Sequence, residues 1–163
     1  LGGISWRDCV GYCLAQVAGA VLGVIGANLM FGLPAVQVST HVRSGPGLWL
    51  GEVVATFGLL LVIFAVVRSQ RASAVPYAVG AYIAGAYWFT SSTSFANPAV
   101  TIARELSNTF AGIAPISVGP FVVAQVVGAL IAVGVVGLVY PRHAGQPERV
   151  ELSPQDVPKE LDH

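Results

Sequence analysis

Charge is what this sequence has least of. Only 10% of its 163 residues are Asp, Glu, Lys or Arg, against about 25% in a soluble globular protein. That shortage excludes a water-facing surface over most of the chain. The eight basic and eight acidic residues cancel, so there is neither a basic footprint for nucleic acid nor an acidic tract for cationic partners. Cysteine is scarce too. Cys9 and Cys13 sit one helical turn apart in an apolar run, too few for a disulfide scaffold and without the further ligands that zinc requires. They read as packing residues, and no cofactor or metal is expected. The opening Leu1-Gly2-Gly3-Ile4 carries no methionine, basic n-region or cleavage pattern, so no signal peptide is expected and the start reads as internal.

Apolar residues are what the chain has in plenty: 55% of the sequence is hydrophobic, with 19 glycines and a mean hydropathy of +0.72. Four nearly uncharged stretches, 10–31, 48–67, 74–89 and 121–140, are candidates to cross a bilayer core of ~30 Å at ~1.5 Å per residue. The third is short but continues through an uncharged polar tract, 90–94. Between them lie a Gly/Pro/Ser loop at 32–47 and a basic turn at 68–73. A polar tail at 141–163, rich in Pro, Glu and Asp, is expected to be mobile and cytoplasmic. With alternating spans, Arg7, Arg68, Arg71, Arg142, Arg149 and Lys159 share one side, and Arg43 and Arg104 fall on the other. The excess marks the cytoplasmic face, so both ends are expected inside. Residues 90–120 then begin and end on the outer side.

Small residues at Gly19 and Gly23, Gly80 and Ala84, and Gly128 and Ala132 are spaced for close helix contact. A repeat is visible as well: Ala15-Gln16-Val17-Ala18-Gly19-Ala20 in the first span matches Ala124-Gln125-Val126-Val127-Gly128-Ala129 in the last at five of six positions. Glutamine is costly in lipid, so Gln16 and Gln125 are expected to face the bundle interior and find partners there. Between the third and fourth spans, Asn97 followed by Pro98 is a helix start, with asparagine as N-cap and proline at the first helical position. A helix over about 97–106 would extend only ~15 Å. It can re-enter the membrane but not cross it, and the irregular backbone before it must be buried in protein or line a cavity. Such a half-helix, aimed into a cavity, favours polar or anionic solute groups over cations.

Asn97-Pro98-Ala99 after an uncharged span, with Ala-Gln-x-x-Gly-Ala at 124–129 in the next, resembles the aquaporin and glycerol-facilitator (major intrinsic protein) family. Gly51-Glu52-Val53-Val54-Ala55-Thr56-Phe57 also resembles the start of that family's second repeat. The resemblance implies two inverted repeats of three spans, each with a half-helix headed by Asn-Pro-Ala, a pore between the repeats, and a homotetramer. It implies an all-α membrane protein, a right-handed bundle of four transmembrane helices plus one re-entrant half-helix. The chain would cover the last helix of repeat 1 and all of repeat 2. Only one Asn-Pro-Ala is present, so on this plan the chain is amino-truncated and the expected function belongs to the intact protein.

By the same resemblance, Asn97 presents its amide N–H groups to passing solute, and Glu52 accepts hydrogen bonds from the re-entrant backbone. A proton-relay role for Glu52 is the alternative, without a second intramembrane acid or histidine to relay to. The family's filter arginine would stand at Val100, and Ser94 and Gly85 align with two further filter positions. Small or apolar residues there imply a wider constriction without fixed charge, passing glycerol-like polyols and metalloid hydroxides such as arsenite, as in a bacterial arsenic-associated branch. Arg104 suits the half-helix C-terminal dipole and is not read as a filter residue. Tyr87, Trp88, Phe89 and Trp49 read as interfacial anchors.

The function expected is a passive channel in the inner membrane, not an enzyme, with the lipid bilayer and small neutral solutes as its only partners besides its own copies. A non-transporting membrane subunit and an ion-coupled carrier are the alternatives. The carrier would need clustered titratable groups within the membrane, whereas His41 lies in the outer loop and His143 and His163 in the tail.

Overall fold

The structure, a computed structural model, describes residues 5–139. The expected tail at 141–163 and the last residue of the fourth expected span lie outside the described residues. Every regular element among the described residues is helical: α1 (Trp6–Met30), α2 (Pro46–Arg68), α3 (Val75–Phe89), α4 (Pro98–Ala103) and α5 (Pro115–Val139). Short 3-10 turns at Ala72–Ala74 and Arg104–Leu106 lead into α3 and prolong α4.

Polar capping sets the boundaries that hydropathy misplaces. α1 begins four residues before the apolar run because Ser5 Oγ accepts the Asp8 N–H at 3.2 Å and donates to the Asp8 carboxylate at 2.7 Å. It ends where Gly32 takes φ +69° and the Leu33 N–H reaches back to the Asn28 carbonyl at 2.8 Å. That closure needs a left-handed residue, which glycine adopts without a Cβ penalty. α5 begins six residues earlier than expected. Pro120 reads as a breaker, yet it sits within the first two turns, where its missing N–H removes only the bond to Ile116.

Among the described residues three helices, α1, α2 and α5, are long and apolar enough to cross a membrane. α3 has 15 residues, ~22 Å of helix. α4 with its 3-10 turn has nine, or ~15 Å. The chain is thus an all-α membrane protein with multiple helices.

α2 is the central element, packed against α3 and α5, while α4 rests between α1 and α5. A Cβ added at Gly128 would lie 2.5 Å from the Val53 carbonyl oxygen and 3.1 Å from the Val53 Cα, so α2 and α5 meet backbone to backbone. Ala132, one turn on, is fully buried. By contrast, a Cβ at Gly19, Gly23 or Gly80 meets nothing within 4 Å among the described residues. Of the three small-residue pairs, the structure uses the one on α5 for close contact. Its apolar core is equally local: Phe95, Ile113 and Phe121 cluster with Leu48, Val100 and Val118 around the segment that returns from α3 to α4. Along the helices, large side chains such as Trp88 and Leu138 point outward, as a lipid-facing surface allows.

Gly128→Leu should therefore destabilise the bundle by about 1–3 kcal/mol through overpacking. Gly19→Ala, into open space, should be neutral or slightly stabilising. Thermal unfolding in detergent followed by circular dichroism checks both; equal effects would refute the α2–α5 contact.

Candidate functional site

The site is built where the chain leaves α3 and turns back to start α4. Thr93, Ser94 and Ala96 take φ of +63°, +52° and +51°, left-handed conformations that cost L-residues about 1–2 kcal/mol each. Something must over-determine them, and Glu52 does. Its Oε1 accepts the Phe95 N–H and its Oε2 the Ala96 N–H, both at 2.9 Å. Gln125 Nε2 donates to the same Oε2 at 2.6 Å and to Thr101 Oγ1 at 2.8 Å. Glu52 is fully buried, and these three N–H donors are what makes an ionisable side chain tolerable there. Ser92 Oγ accepts the Ser94 N–H at 3.2 Å, completing the turn. Gly51 lets α2 abut this loop: a Cβ there would stand 2.8 Å from Ser91 Oγ and 3.1 Å from the Ser92 nitrogen.

Asn97 caps α4. Its Oδ1 accepts the Ala99 N–H at 2.8 Å, and its carbonyl takes both the Thr101 N–H and the Thr101 hydroxyl at 3.0 Å. Pro98 occupies the first helical position and Ala99 is buried. Because the cap fixes Oδ1 against the backbone, the amide nitrogen is turned away from the helix. It donates to Gln16 Oε1 on α1 at 3.2 Å. The two repeated glutamines thus converge on the same short helix from opposite sides, Gln125 fully buried and Gln16 exposed.

The far end of the segment is held by residues that sequence reasoning missed. Arg43 is 4% exposed. Its guanidinium donates to the carbonyls of Gly112 at 2.7 Å, Ser92 at 3.0 Å and Phe110 at 2.6 Å. It lies over the Phe95 ring, 5.0 Å from the centroid. Its own N–H donates to Ser117 Oγ at 3.0 Å. Burial pushes its pKa down and the Glu52 charge opposes that. Asn28 is also buried, donating to the carbonyls of Leu106 and Ala35 at 2.9 and 3.1 Å and accepting the Ser107 hydroxyl at 2.8 Å. A polar residue inside an apolar span was the available signal for Asn28, the same one that marked the glutamines. For Arg43 there was none, since a lone arginine in a Gly/Pro/Ser loop reads as solvated.

Gly85 is exposed on α3, with only the Phe89 ring within 4 Å of where a Cβ would stand. Ser94 is buried, and its hydroxyl has no hydrogen-bond partner among the described residues. Val100 lines a cavity of about 250 Å³ between α1 and α4, together with Gly23, Val24, Ala27, Ala103 and Arg104. A second cavity of about 390 Å³ lies beyond it, lined by Asn28, Tyr87, Arg104, Thr109 and Phe110 among others. No cluster of three or more His, Cys, Asp or Glu side chains that could hold a metal occurs among the described residues. The arrangement offers oriented amide and guanidinium donors beside apolar walls, which suits hydrogen bonding to a small solute and supplies no nucleophile–base pair.

Glu52→Gln leaves one carboxylate-directed N–H unmatched, at a cost of about 1–3 kcal/mol. Arg43→Lys should cost at least as much, because one ammonium cannot serve carbonyls held in the fork of a guanidinium. Detergent melts of both variants measure this; a wild-type melt for Arg43→Lys would refute the clamp.

Comparison with known proteins places the chain among known sequences. Residues 72–159 match the family model described as MIP, major intrinsic protein. The aquaglyceroporin AqpS of Rhizobium meliloti (strain 1021) is 49% identical over 160 residues, an alignment that takes in 96% of this chain and 66% of that protein. The chain thus spans just under two thirds of its relative's length. No solved structure matches. The family model takes in more than half of the sequence, and on that ground the chain belongs to the major intrinsic protein family.

Proposed function

We propose that this chain forms part of a passive transmembrane channel for water and small neutral solutes, glycerol-like polyols and metalloid hydroxides such as arsenite among them. The observation that carries the reading is the Asn97 amide. Its oxygen is locked to the Ala99 N–H and its nitrogen, which gives one N–H to Gln16 and keeps a second, is turned away from the helix, at the head of a helix too short to cross a bilayer. A donor fixed in that way gives a solute oxygen a hydrogen bond without reorganisation, and loses it again without a covalent step. The relative is an aquaglyceroporin, which supports the solute class. Family membership supports a channel over an enzyme.

On this reading α1, α2 and α5 cross the membrane, and α3 with its preceding 3-10 turn is the fourth span. Residues 90–106 re-enter from the outer face. The helices then correspond to the last span of one repeat and the whole of the next, in a right-handed bundle assembled as a homotetramer. Arg7, Arg68 and Arg71 lie on the cytoplasmic side of an inner membrane and Arg43 on the outer side. Gly85 and Val100 leave the constriction wide and its immediate wall apolar, which favours solutes larger than water. Glu52 commits both carboxylate oxygens to N–H donors, a supporting role that argues against an ion-coupled carrier.

Stopped-flow light scattering of proteoliposomes holding the full-length protein tests the proposal. Water, glycerol and arsenite gradients should each relax faster than in protein-free vesicles, without saturation or pH coupling. Val100→Arg should cut glycerol flux about tenfold or more while leaving water flux within about threefold, since a guanidinium narrows the passage for the larger solute first. Permeability no higher than that of lipid would end the channel reading.

A further inference from the structure

Two arginines lie against the ring of Phe95, with guanidinium carbons 5.0 Å (Arg43) and 5.8 Å (Arg104) from its centroid. Their situations differ. Arg43 is tied to three carbonyls of the re-entrant segment. The backbone carbonyl of Arg104 accepts the Ile113 N–H at 3.3 Å, but its guanidinium meets no hydrogen-bond acceptor among the described residues. The residue lines both cavities, that of Val100 on one side and that of Tyr87 and Thr109 on the other. A guanidinium offers five N–H donors and keeps its charge at any physiological pH. Among the described residues those donors are not used up by a hydrogen bond, and the residue borders both cavities.

Its position at the start of the 3-10 turn that prolongs α4 gives the charge a definite level. Arg104 follows Val100 by four residues, so both lie on one face and wall the same cavity. Arg104 keeps right-handed helical backbone as the chain leaves α4, and its guanidinium lies over the Phe95 ring. The Phe95 ring holds it there through its π face, and Phe95 is itself positioned by Glu52 through its N–H. Arg43 adds a like charge close enough to act on its neighbour. The re-entrant segment therefore presents positive charge to the cavities even though residue 100 is valine.

We propose that Arg104 is a specificity-determining residue of the conduit. One helical turn beyond Val100, it supplies the fixed positive charge that excludes cations and the N–H donors that hydrogen-bond hydroxyl-bearing neutral solutes. The sequence reading of a constriction without fixed charge is thereby revised: the charge is present but set back from the narrowest wall. The inference rests on the channel reading above.

Full-length protein in proteoliposomes, as wild type, Arg104→Met and Arg104→Lys, tests it through two readouts, potassium leak with a potential-sensitive dye and glycerol flux by light scattering. Arg104→Met should raise the potassium leak about tenfold or more over wild type. Arg104→Lys should hold the leak within about twofold, because the charge remains, while glycerol flux falls because the planar donor fork is gone. Normal glycerol flux with an unchanged potassium leak in Arg104→Met would overturn the inference and leave the channel standing. No glycerol or water flux in wild type would overturn both. Should Arg104→Met fail to reconstitute, phenylglyoxal labelling of the wild type read by peptide mass spectrometry decides: Arg104 should be modified and Arg43 protected, and an unmodified Arg104 would overturn the proposal.

Discussion

A single buried carboxylate organises this molecule. Glu52 on α2 accepts the N–H groups of Phe95 and Ala96 and the side chain of Gln125, joining two helices to a loop with no regular structure of its own. The interaction answers two costs together. A carboxylate in a membrane interior needs donors in place of water, and a loop with three left-handed non-glycine residues needs acceptors that make those conformations the best available. Each demand is met by the other. Removing either partner leaves polar groups stranded where lipid cannot satisfy them.

The far end of the segment between α3 and α5 depends on a similar exchange with the sign reversed. Carbonyls at Ser92, Phe110 and Gly112 point inward without helix partners, and the Arg43 guanidinium satisfies all three. Asn28 repeats the arrangement at Leu106 and Ala35. An anion therefore collects backbone N–H groups at the loop's start and a cation collects carbonyls at its return. Between them α4 is held as a short rigid piece with Asn97 at its head. The core residues Phe95, Ile113 and Phe121 pack around that piece, so apolar burial reinforces the polar frame where α4 begins and leaves the helices' outward faces to lipid.

Much of this was legible in advance, and the reasons are specific. The Asn97-Pro98 start stood out because a cap and a helix-start residue are local devices that act through their immediate neighbours. Gln16 and Gln125 stood out because amides are rare at such depth. Helix ends were misplaced where hydropathy was the guide and a polar cap or proline decided, as at Ser5 and Pro115. Small-residue spacing overstated contact: Gly128 meets α2, whereas Gly19, Gly23 and Gly80 face open space among the described residues. Arg43 and the partners of Arg104 were illegible, since what an arginine touches depends on segments distant along the chain.

Composition and hydrophobic run length by themselves determined that the chain is a helical membrane protein, because lipid leaves the backbone few other ways to satisfy its hydrogen bonds. The local motif also determined where a half-length helix begins. Only the tertiary structure decided which polar groups answer one another: that Glu52 holds the loop, that Arg43 closes it, and that Arg104 is left facing the cavities. The division follows from range. Solvation acts on each residue where it stands, whereas a buried hydrogen bond exists only once distant segments have been brought within about 3 Å.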